Sequence, residues 1–202
     1  NISLIYKPIE KLTNKFTVAN TYIKRVYGRA ENSNNAKQDK YYGERYAYLY
    51  QGNYNFDLDN SFVFGLERED DQMGRDLNEA GIVNSNAYVT SQFFDYQSRI
   101  TNNIYGTIGA RFDEHSLAGG TGSNEDSHRA TLAYVFDDKT TKLKSSYGTG
   151  YRFPSLFEMK YAYRAGSNTL PFVKAETSQS YDFGIEKSIS PNLLIDLTYF
   201  NV

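Results

Sequence analysis

Apolar and polar side chains alternate along most of this chain with a period of two residues. The clearest case is Tyr42–Asp57, in which tyrosines and a phenylalanine at every second position face Ala47, Leu49 and polar residues between them. Successive side chains of a β-strand point to opposite faces of the sheet, so this pattern predicts a strand with one apolar and one polar face. No stretch has the 3.6-residue apolar period of an amphipathic helix.

The same reasoning predicts about ten strands joined by connections that alternate between short and long. The expected strands are Ile2–Lys7, Phe16–Arg29, Tyr42–Asp57, Ser61–Glu69, Tyr88–Ile100, Ile104–Asp113, Arg129–Phe136, Lys142–Arg152, Thr177–Lys187 and Leu193–Val202. The expected long loops are Glu31–Lys40, Asp70–Asn86, Glu114–Asp126 and Phe153–Ala175. Many of these strands reach the 9–11 residues needed to cross a bilayer, and short turns on one side with longer loops on the other are typical of outer-membrane barrels. We therefore predict an all-β, antiparallel, up-and-down transmembrane barrel segment.

Composition supports this fold and removes several functions. The chain has 19 Tyr and 13 Phe, no Cys and no Trp, and a net charge of 22 − 24 = −2. Tyrosine favours strands that end at a boundary between lipid and water. A mean hydropathy of −0.63 is compatible with a barrel, since only every second strand residue must face lipid. The near-neutral charge does not favour nucleic-acid binding, and the absence of cysteine excludes a disulfide framework.

Two sequence blocks carry a specific resemblance. The first runs from Tyr147 to Leu156 and contains Tyr147, Gly148, Gly150, Tyr151, Arg152, Pro154, Ser155 and Leu156. The second runs from Lys174 to Gly184 and contains Glu176 and Gly184. Both resemble the late-barrel signature of TonB-dependent outer-membrane receptors. The alternation within the first block places Gly148 and Gly150 on one face and Tyr147 and Tyr151 on the other, before Pro154 ends the strand.

The resemblance implies a function as well as a fold. Members of that family are 22-stranded barrels plugged by an N-terminal domain, and they import ferric siderophores, haem or cobalamin with energy from the inner-membrane TonB complex. We accordingly expect residues 1–202 to be part of such a barrel domain in the bacterial outer membrane, with a ferric siderophore or cobalamin as ligand. The plug that binds the TonB complex would lie outside this chain. No cofactor and no enzymatic activity are expected.

The sequence departs from the family in its strand number and in lacking a plug-like segment, a signal peptide and a terminal aromatic residue. Two unpaired sheet edges would not be tolerated in lipid, so an interior section of a longer protein is expected. Two alternatives remain open: a passive porin-type channel and a cell-surface β-sheet adhesin.

Several polar and aromatic residues are candidates for a site. Arg99, Arg111, Glu67 and Glu186 lie on polar strand faces and are expected to line the lumen and contact the plug, as lumenal Arg–Glu networks do in the family that the chain resembles. Arg129 and Arg152 also project from strands or strand ends. The longest loop carries aromatic and arginine side chains of the kind enriched in binding surfaces, and we expect ligand contacts there from Tyr161, Tyr163, Arg164 and Phe172.

Two further clusters have both a metal-binding and an ordinary interpretation. His115 and His128 flank one predicted loop with Asp113, Glu114, Glu125 and Asp126, and could converge on a metal. Glu67, Glu69, Asp70, Asp71 and Asp76 form an acidic run of the kind that can bind calcium, although its spacing matches no calcium loop. For both clusters a solvated polar surface is the favoured interpretation, so the sequence leaves metal binding undetermined.

Overall fold

A computed structural model describes residues 1–28, 38–77, 82–117, 122–156, 158 and 174–202. Ten strands account for most of them: β1 (Ile2–Ile9), β2 (Leu12–Gly28), β3 (Gln38–Asn55), β4 (Asn60–Leu77), β5 (Ile82–Arg99), β6 (Ile104–Leu117), β7 (Ser123–Val135), β8 (Thr141–Arg152), β9 (Glu176–Ser190) and β10 (Leu193–Asn201). They form one sheet in which each strand pairs antiparallel with the next in chain order. The predicted up-and-down antiparallel topology is therefore confirmed. Among the described residues, no helix is long and apolar enough to cross a membrane.

The register sorts the side chains of the sheet into an apolar and a polar face. Ile108 lies opposite Tyr96 and Ala130, and Tyr147 lies opposite Ala130 and Tyr181, so one row of the apolar face crosses five strands. Directly opposite residues share a face in an antiparallel pair. Residues at the alternate positions of each strand point to the other side of the sheet and form the rows of the polar face. One such row is Glu67–Ser91–Asp113 across β4, β5 and β6.

The exposure of the two faces is reversed relative to a water-soluble protein. On the apolar face Ile108 is 56% exposed and Phe112 is 52% exposed, whereas on the polar face Ser91 is fully buried and Asp113 is 7% exposed. A large exposed apolar surface marks contact with a membrane or a partner. This arrangement matches a barrel whose outer side meets lipid and whose polar side lines the lumen.

The strands extend further than the sequence pattern predicts. Asp70–Asn86 and Glu114–Asp126 are not the long loops that we expected, because β4 and β5 continue through Leu77 and Ile82, and β6 and β7 continue through Leu117 and Ser123. On β6 the outward side chains are apolar from Ile104 to Phe112, a span of about 30 Å, and become polar afterwards. The alternation was lost in the sequence because both faces are polar where the hairpins rise beyond the bilayer.

At the other end of the sheet, short turns join the strands. Asp57 accepts hydrogen bonds from the backbone N–H of Asp59 (2.8 Å) and from Asn60 Nδ2 (2.9 Å), and this local bonding fixes the β3–β4 turn. Asp138 does the same in the β7–β8 turn, where Lys139 has a left-handed φ of 55°. The Asn60 amide and the Asp59 backbone N–H hold the pKa of the Asp57 carboxyl group below its usual range. The Lys187 ammonium and the backbone N–H of Thr140 lower the pKa of Asp138 in the same way.

Candidate functional site

Arg152 lies where the longest connection leaves the sheet. It is the last residue of β8 and pairs in register with Glu176, the first residue of β9. Its guanidinium donates to both carboxylate oxygens of Glu176, from Nε at 3.1 Å and from Nη2 at 2.9 Å. A bidentate Arg–carboxylate pair fixes orientation as well as distance. Arg152 therefore ties together the two ends of the connection, and with them the two sequence blocks of the family signature.

The same guanidinium holds the first helical turn after β8. Arg152 donates to both oxygens of Glu158, at 2.9 and 3.0 Å. Glu158 also accepts from the backbone N–H of Ser155 (2.7 Å), while Ser155 Oγ accepts from the backbone N–H of Glu158 (3.2 Å). This reciprocal pair is a capping box, which begins a helix. The four residues Arg152, Ser155, Glu158 and Glu176 are called the Arg152 clamp below.

These contacts change the acidity of one clamp residue that lies outside the strands. The Arg152 guanidinium and the Ser155 N–H and hydroxyl groups lower the pKa of Glu158 to about 2. Glu158 is therefore ionised throughout the neutral range, and the clamp remains charged. Our sequence analysis included Arg152, Ser155 and Glu176 but missed Glu158, although the Ser155-x-x-Glu158 spacing of a capping box could have revealed it.

The residues around Pro154 fold against the polar face of the sheet. This stem segment, Tyr151–Leu156, is anchored by the Tyr151 hydroxyl, which donates to the Asp113 carboxylate, and by Phe153, whose ring stacks on His115 with centroids 4.5 Å apart. Pro154 is buried. The base of the longest loop is thus held against the polar face of the sheet.

Tyr151 departs from its expected position. Alternation places it with Tyr147 on the apolar face, yet its hydroxyl reaches the polar face. The pairing of β7 with β8 ends at Arg129–Gly148, whereas β8 continues to pair with β9 up to Arg152. The Thr149 hydroxyl still accepts from the backbone N–H of His128 on β7 (3.0 Å), and past this bond the end of β8 can turn inward. Gly148 itself lies on the polar face, as predicted.

Arg111 is the centre of a charged network that spans three strands of the polar face. Its Nη2 donates to Glu67 on β4 (2.8 Å) and to Ser91 on β5 (2.8 Å), and its Nε donates to Asp113 on β6 (2.9 Å). The small side chain of Ser91 leaves the space through which the guanidinium reaches Glu67. Both Arg111 and Glu67 thus lie on the polar face, as expected.

A second pair crosses a strand in the same way. Arg129 on β7 donates to Asp95 on β5 from Nε (3.0 Å) and Nη2 (2.7 Å). Gly109 lies between them in register, and a Cβ there would be 2.6 Å from the Asp95 carboxylate. Glycine is required because the ion pair passes directly over its backbone. Gly184 has the same role between Lys144 and Thr198, beside the Lys144–Asp196 ion pair.

A cleft of about 640 Å³ lies between the stem segment and the polar face of β2–β6. Arg45 crosses one side of it and pairs with Asp71 (2.6 Å) and Glu69 (3.1 Å). Gly43 borders open space, since no atom lies within 4 Å of the position of a Cβ there. The polar face therefore offers a water-accessible cavity lined by paired charges directly beneath the base of the longest loop.

The remaining predicted residues are distributed over the sheet. Arg99 bonds Asp59 (3.3 Å) and Asn102 (3.2 Å) at the short-turn end, and Glu186 lies 3.4 Å from Lys142 on the polar face. Neither position tests the predicted plug contact, which stays a prediction. Tyr161, Tyr163, Arg164 and Phe172 lie outside the described residues.

Neither metal-site hypothesis is supported by the geometry. His128 lies opposite Ala110 and His115 lies opposite Ser123, so the two imidazoles are on different faces of the sheet. The acidic run is also divided, because Glu69 and Asp71 pair with Arg45 on the polar face while Asp70 pairs with Arg68 on the other (2.9 Å). Within the described ranges, no group of three or more His, Asp or Glu side chains could hold a metal ion.

Comparisons with known proteins agree with this geometry. Residues 3–202 match the family model described as "TonB dependent receptor-like, beta-barrel". Similar solved structures include the copper transporter OprC (TM-score 0.83, 14% identity, 98% of this chain and 37% of that chain). The ferric enterobactin receptor PfeA of Pseudomonas aeruginosa has a TM-score of 0.76 and 18% identity over 98% of this chain and 33% of its own.

The ferric citrate transporter FecA gives a TM-score of 0.73 at 13% identity, with 98% of this chain and 33% of that chain covered. The chain thus spans about a third of the length of the structures it matches. No curated protein sequence matches it. At these identities the structures establish the fold alone, whereas the family model covers nearly the whole chain. On that basis this chain belongs to the family of TonB-dependent receptor-like β-barrels.

Proposed function

We propose that this chain forms part of an outer-membrane receptor that takes up a ferric siderophore with energy from the TonB complex. The observation that carries the proposal is the Arg152 clamp, in which one guanidinium joins both blocks of the family signature at the base of the longest loop. Binding residues are often placed on loops that a rigid scaffold positions. That arrangement supports the proposal that the ligand is captured at this end of the barrel.

The ligand class is supported by the named relatives. FecA is a ferric citrate transporter and PfeA is a ferric enterobactin receptor, so a ferric chelate is the favoured cargo. Cobalamin remains the second candidate because the spacing from Gly148 to Leu156 resembles that of cobalamin receptors. In either case the reaction is binding and passage without bond chemistry.

The proposed path runs from the loop to the lumen. Tyr161, Tyr163, Arg164 and Phe172 first contact the ligand, and the stem segment then leads to the cleft beside Arg45. Arg99, Arg111, Glu67 and Glu186 contact the plug, which lies in the lumen and is displaced when the TonB complex pulls on it. The charged side chains of the polar face suit such a role, because charge-assisted hydrogen bonds to a facing surface are strong and oriented.

The test is an uptake assay with the protein produced from its natural gene in cells that lack their own receptors. Cells receive radiolabelled ferric siderophores, ferric citrate or labelled cobalamin, with and without a functional TonB complex. TonB-dependent uptake of one ferric chelate is expected. Uptake of cobalamin alone would show that the ligand is cobalamin and not a ferric chelate. Uptake that persists without TonB would contradict the proposal of a TonB-dependent receptor and indicate a passive channel.

The Arg152→Ala variant tests whether the Arg152 clamp contributes to ligand binding. Loss of both ion pairs loosens the loop base, and we expect the affinity for the ligand to fall about fivefold to tenfold, as for exposed charge pairs that act together. Arg152→Lys should give an intermediate loss because an ammonium group cannot bind two carboxylates in bidentate fashion. The matched control is Arg68→Ala, which removes an exposed arginine ion pair on the other face of the sheet.

A further inference from the structure

The apolar face carries a groove to which the sections above assign no role. Its volume is about 620 Å³, and it runs diagonally from Ile100 at the end of β5 to Phe183 on β9. All of the residues that line it are uncharged. Cavities of 300–1,000 Å³ are typical of sites for small ligands.

Small residues form the floor of this groove, and larger residues of the apolar face flank it. Ala130 lies in register between Ile108 and Tyr147, and Gly106 lies opposite Leu132 one step away. Ser145 completes the floor on β8. The larger neighbours rise on both sides, so the surface is concave within a face that is otherwise covered by projecting side chains.

We propose that this groove binds an acyl chain of a phospholipid of the periplasmic leaflet. The groove is continuous with the apolar face, which a barrel of this family exposes to hydrocarbon. Its lining offers no charged side chain that could pair with a phosphate headgroup inside the groove. A hydrocarbon chain satisfies both conditions.

The position of the groove along the strands selects the leaflet. It begins beside the short Thr101–Asn103 turn, and short turns lie on the periplasmic side of outer-membrane barrels. On β8 it reaches Tyr147, six residues after the first strand residue Thr141, about 20 Å along the strand. With a strand tilt of about 45° this corresponds to about half of the hydrocarbon thickness. The occupant therefore comes from the phospholipid leaflet and not from the lipopolysaccharide of the outer leaflet.

Native mass spectrometry of the protein produced from its natural gene tests this proposal. The protein is stripped of lipid by detergent exchange and then incubated with phosphatidylethanolamine or, in a second arm, with lipopolysaccharide. We expect one phosphatidylethanolamine to stay bound under conditions that remove the others. Ala130→Phe, which fills the floor, should lose this molecule, and Leu197→Phe on the apolar face of β10, outside the groove, should keep it.

Ser145→Leu gives a second filled groove if Ala130→Phe does not fold, and heat-dependent electrophoretic mobility reports folding of each variant. Equal retention of phosphatidylethanolamine by wild type and both filled variants would overturn the proposal, as would the absence of any retained molecule in wild type. Retention of lipopolysaccharide alone would overturn the assignment to the periplasmic leaflet. The result is independent of the ligand that the receptor transports.

Discussion

The two ends of this sheet are held together by different kinds of contact. At the short-turn end, side chains bond neighbouring turns or strands alongside backbone hydrogen bonds: Lys11 bonds Phe56 O (2.6 Å), Arg99 bonds Asp59 (3.3 Å), Asn103 bonds Asp137 (2.7 Å) and Lys187 bonds Asp138 (3.0 Å). Further along the strands the charged contacts reach over an intervening strand, as Arg111 does to Glu67, and at the long-loop end Arg152 joins the two ends of one loop.

This difference in contacts reflects the different structural role of each end of the sheet. The turns lie at a rim where short connections need only local bonds to hold their shape. The long-loop half encloses a cleft, and its strands rise beyond the apolar band, so charged side chains on the polar face must be paired with each other. Pairs across two strands also stiffen the wall, because they link strands that share no backbone hydrogen bonds.

The largest effect is expected at Arg111, where the three-strand network can be broken by one change. Arg111→Met removes the positive charge beside the Glu67 and Asp113 carboxylates, leaving Asp113 only its bond from the Tyr151 hydroxyl, and the Asp113 side chain is only 7% exposed. We expect the free energy of unfolding to fall by about 2–3 kcal/mol, measured by urea unfolding in lipid vesicles. Arg45→Met is the control: its side chain is 48% exposed, so the loss should be less than about 1 kcal/mol. Equal losses would show that burial does not govern these pairs.

Gly109 provides a milder way to disturb a charged pair that reaches over an intervening strand. Gly109→Ala places a methyl group 2.6 Å from the Asp95 carboxylate and 3.1 Å from the Phe94 carbonyl oxygen, which displaces the bond to Arg129. The expected loss of unfolding free energy is about 1–2 kcal/mol in the same measurement. Gly43→Ala is the matched control on the polar face, because its methyl group meets no atom within 4 Å and should change stability little. A loss for Gly43→Ala as large as that for Gly109→Ala would contradict the steric explanation.

The two ends also differ in how far the sequence predicts them. Ten strands, their order and the two faces follow from the two-residue period, and the position of the turns follows from residues such as Asp57 and Pro191. The strand ends at the long-loop side cannot be predicted from this period, because Asp70–Asn86 is mostly polar and loses the alternation that marks a strand.

The candidate site can also be predicted from the sequence only in part. The resemblance placed Arg152 and Glu176 in one signature, and the Ser155-x-x-Glu158 spacing could have added Glu158. By contrast, the inward position of Tyr151 depends on where β8 separates from β7, and the contact of Arg111 with Glu67 depends on the size of Ser91 on the strand between them. Such facts require the register of several strands at once, which no single strand pattern contains.

The Arg152 clamp should respond to acid in a direction that its pKa fixes. The pKa of Glu158 is lowered to about 2 from an ordinary value of 4.5, so the contribution of its ionised form to stability is fully present above pH 4.5 and is lost as the pH falls toward 2. Carboxylate ¹³C shifts of labelled glutamate, assigned with Glu158→Gln, give this pKa directly. In Arg152→Met it should return toward 4.5. An unchanged low pKa in that variant would mean that Ser155, and not Arg152, holds Glu158 ionised.

The smallest effect, and the only gain in stability, is expected at the short-turn end. Lys139 has a φ of 55° in the β7–β8 turn, a left-handed conformation that favours glycine over residues with a Cβ. Lys139→Gly should raise the free energy of unfolding by about 0.5 kcal/mol, since relief of strain is partly offset by the greater freedom of glycine in the unfolded chain. Thr140→Gly in the same turn is the control, because Thr140 does not have a positive φ and should lose stability on this change. Since the Asp138–Lys187 contact remains in place, a larger gain than this would indicate that the turn bonds, and not the strand pairs, limit the stability of this end.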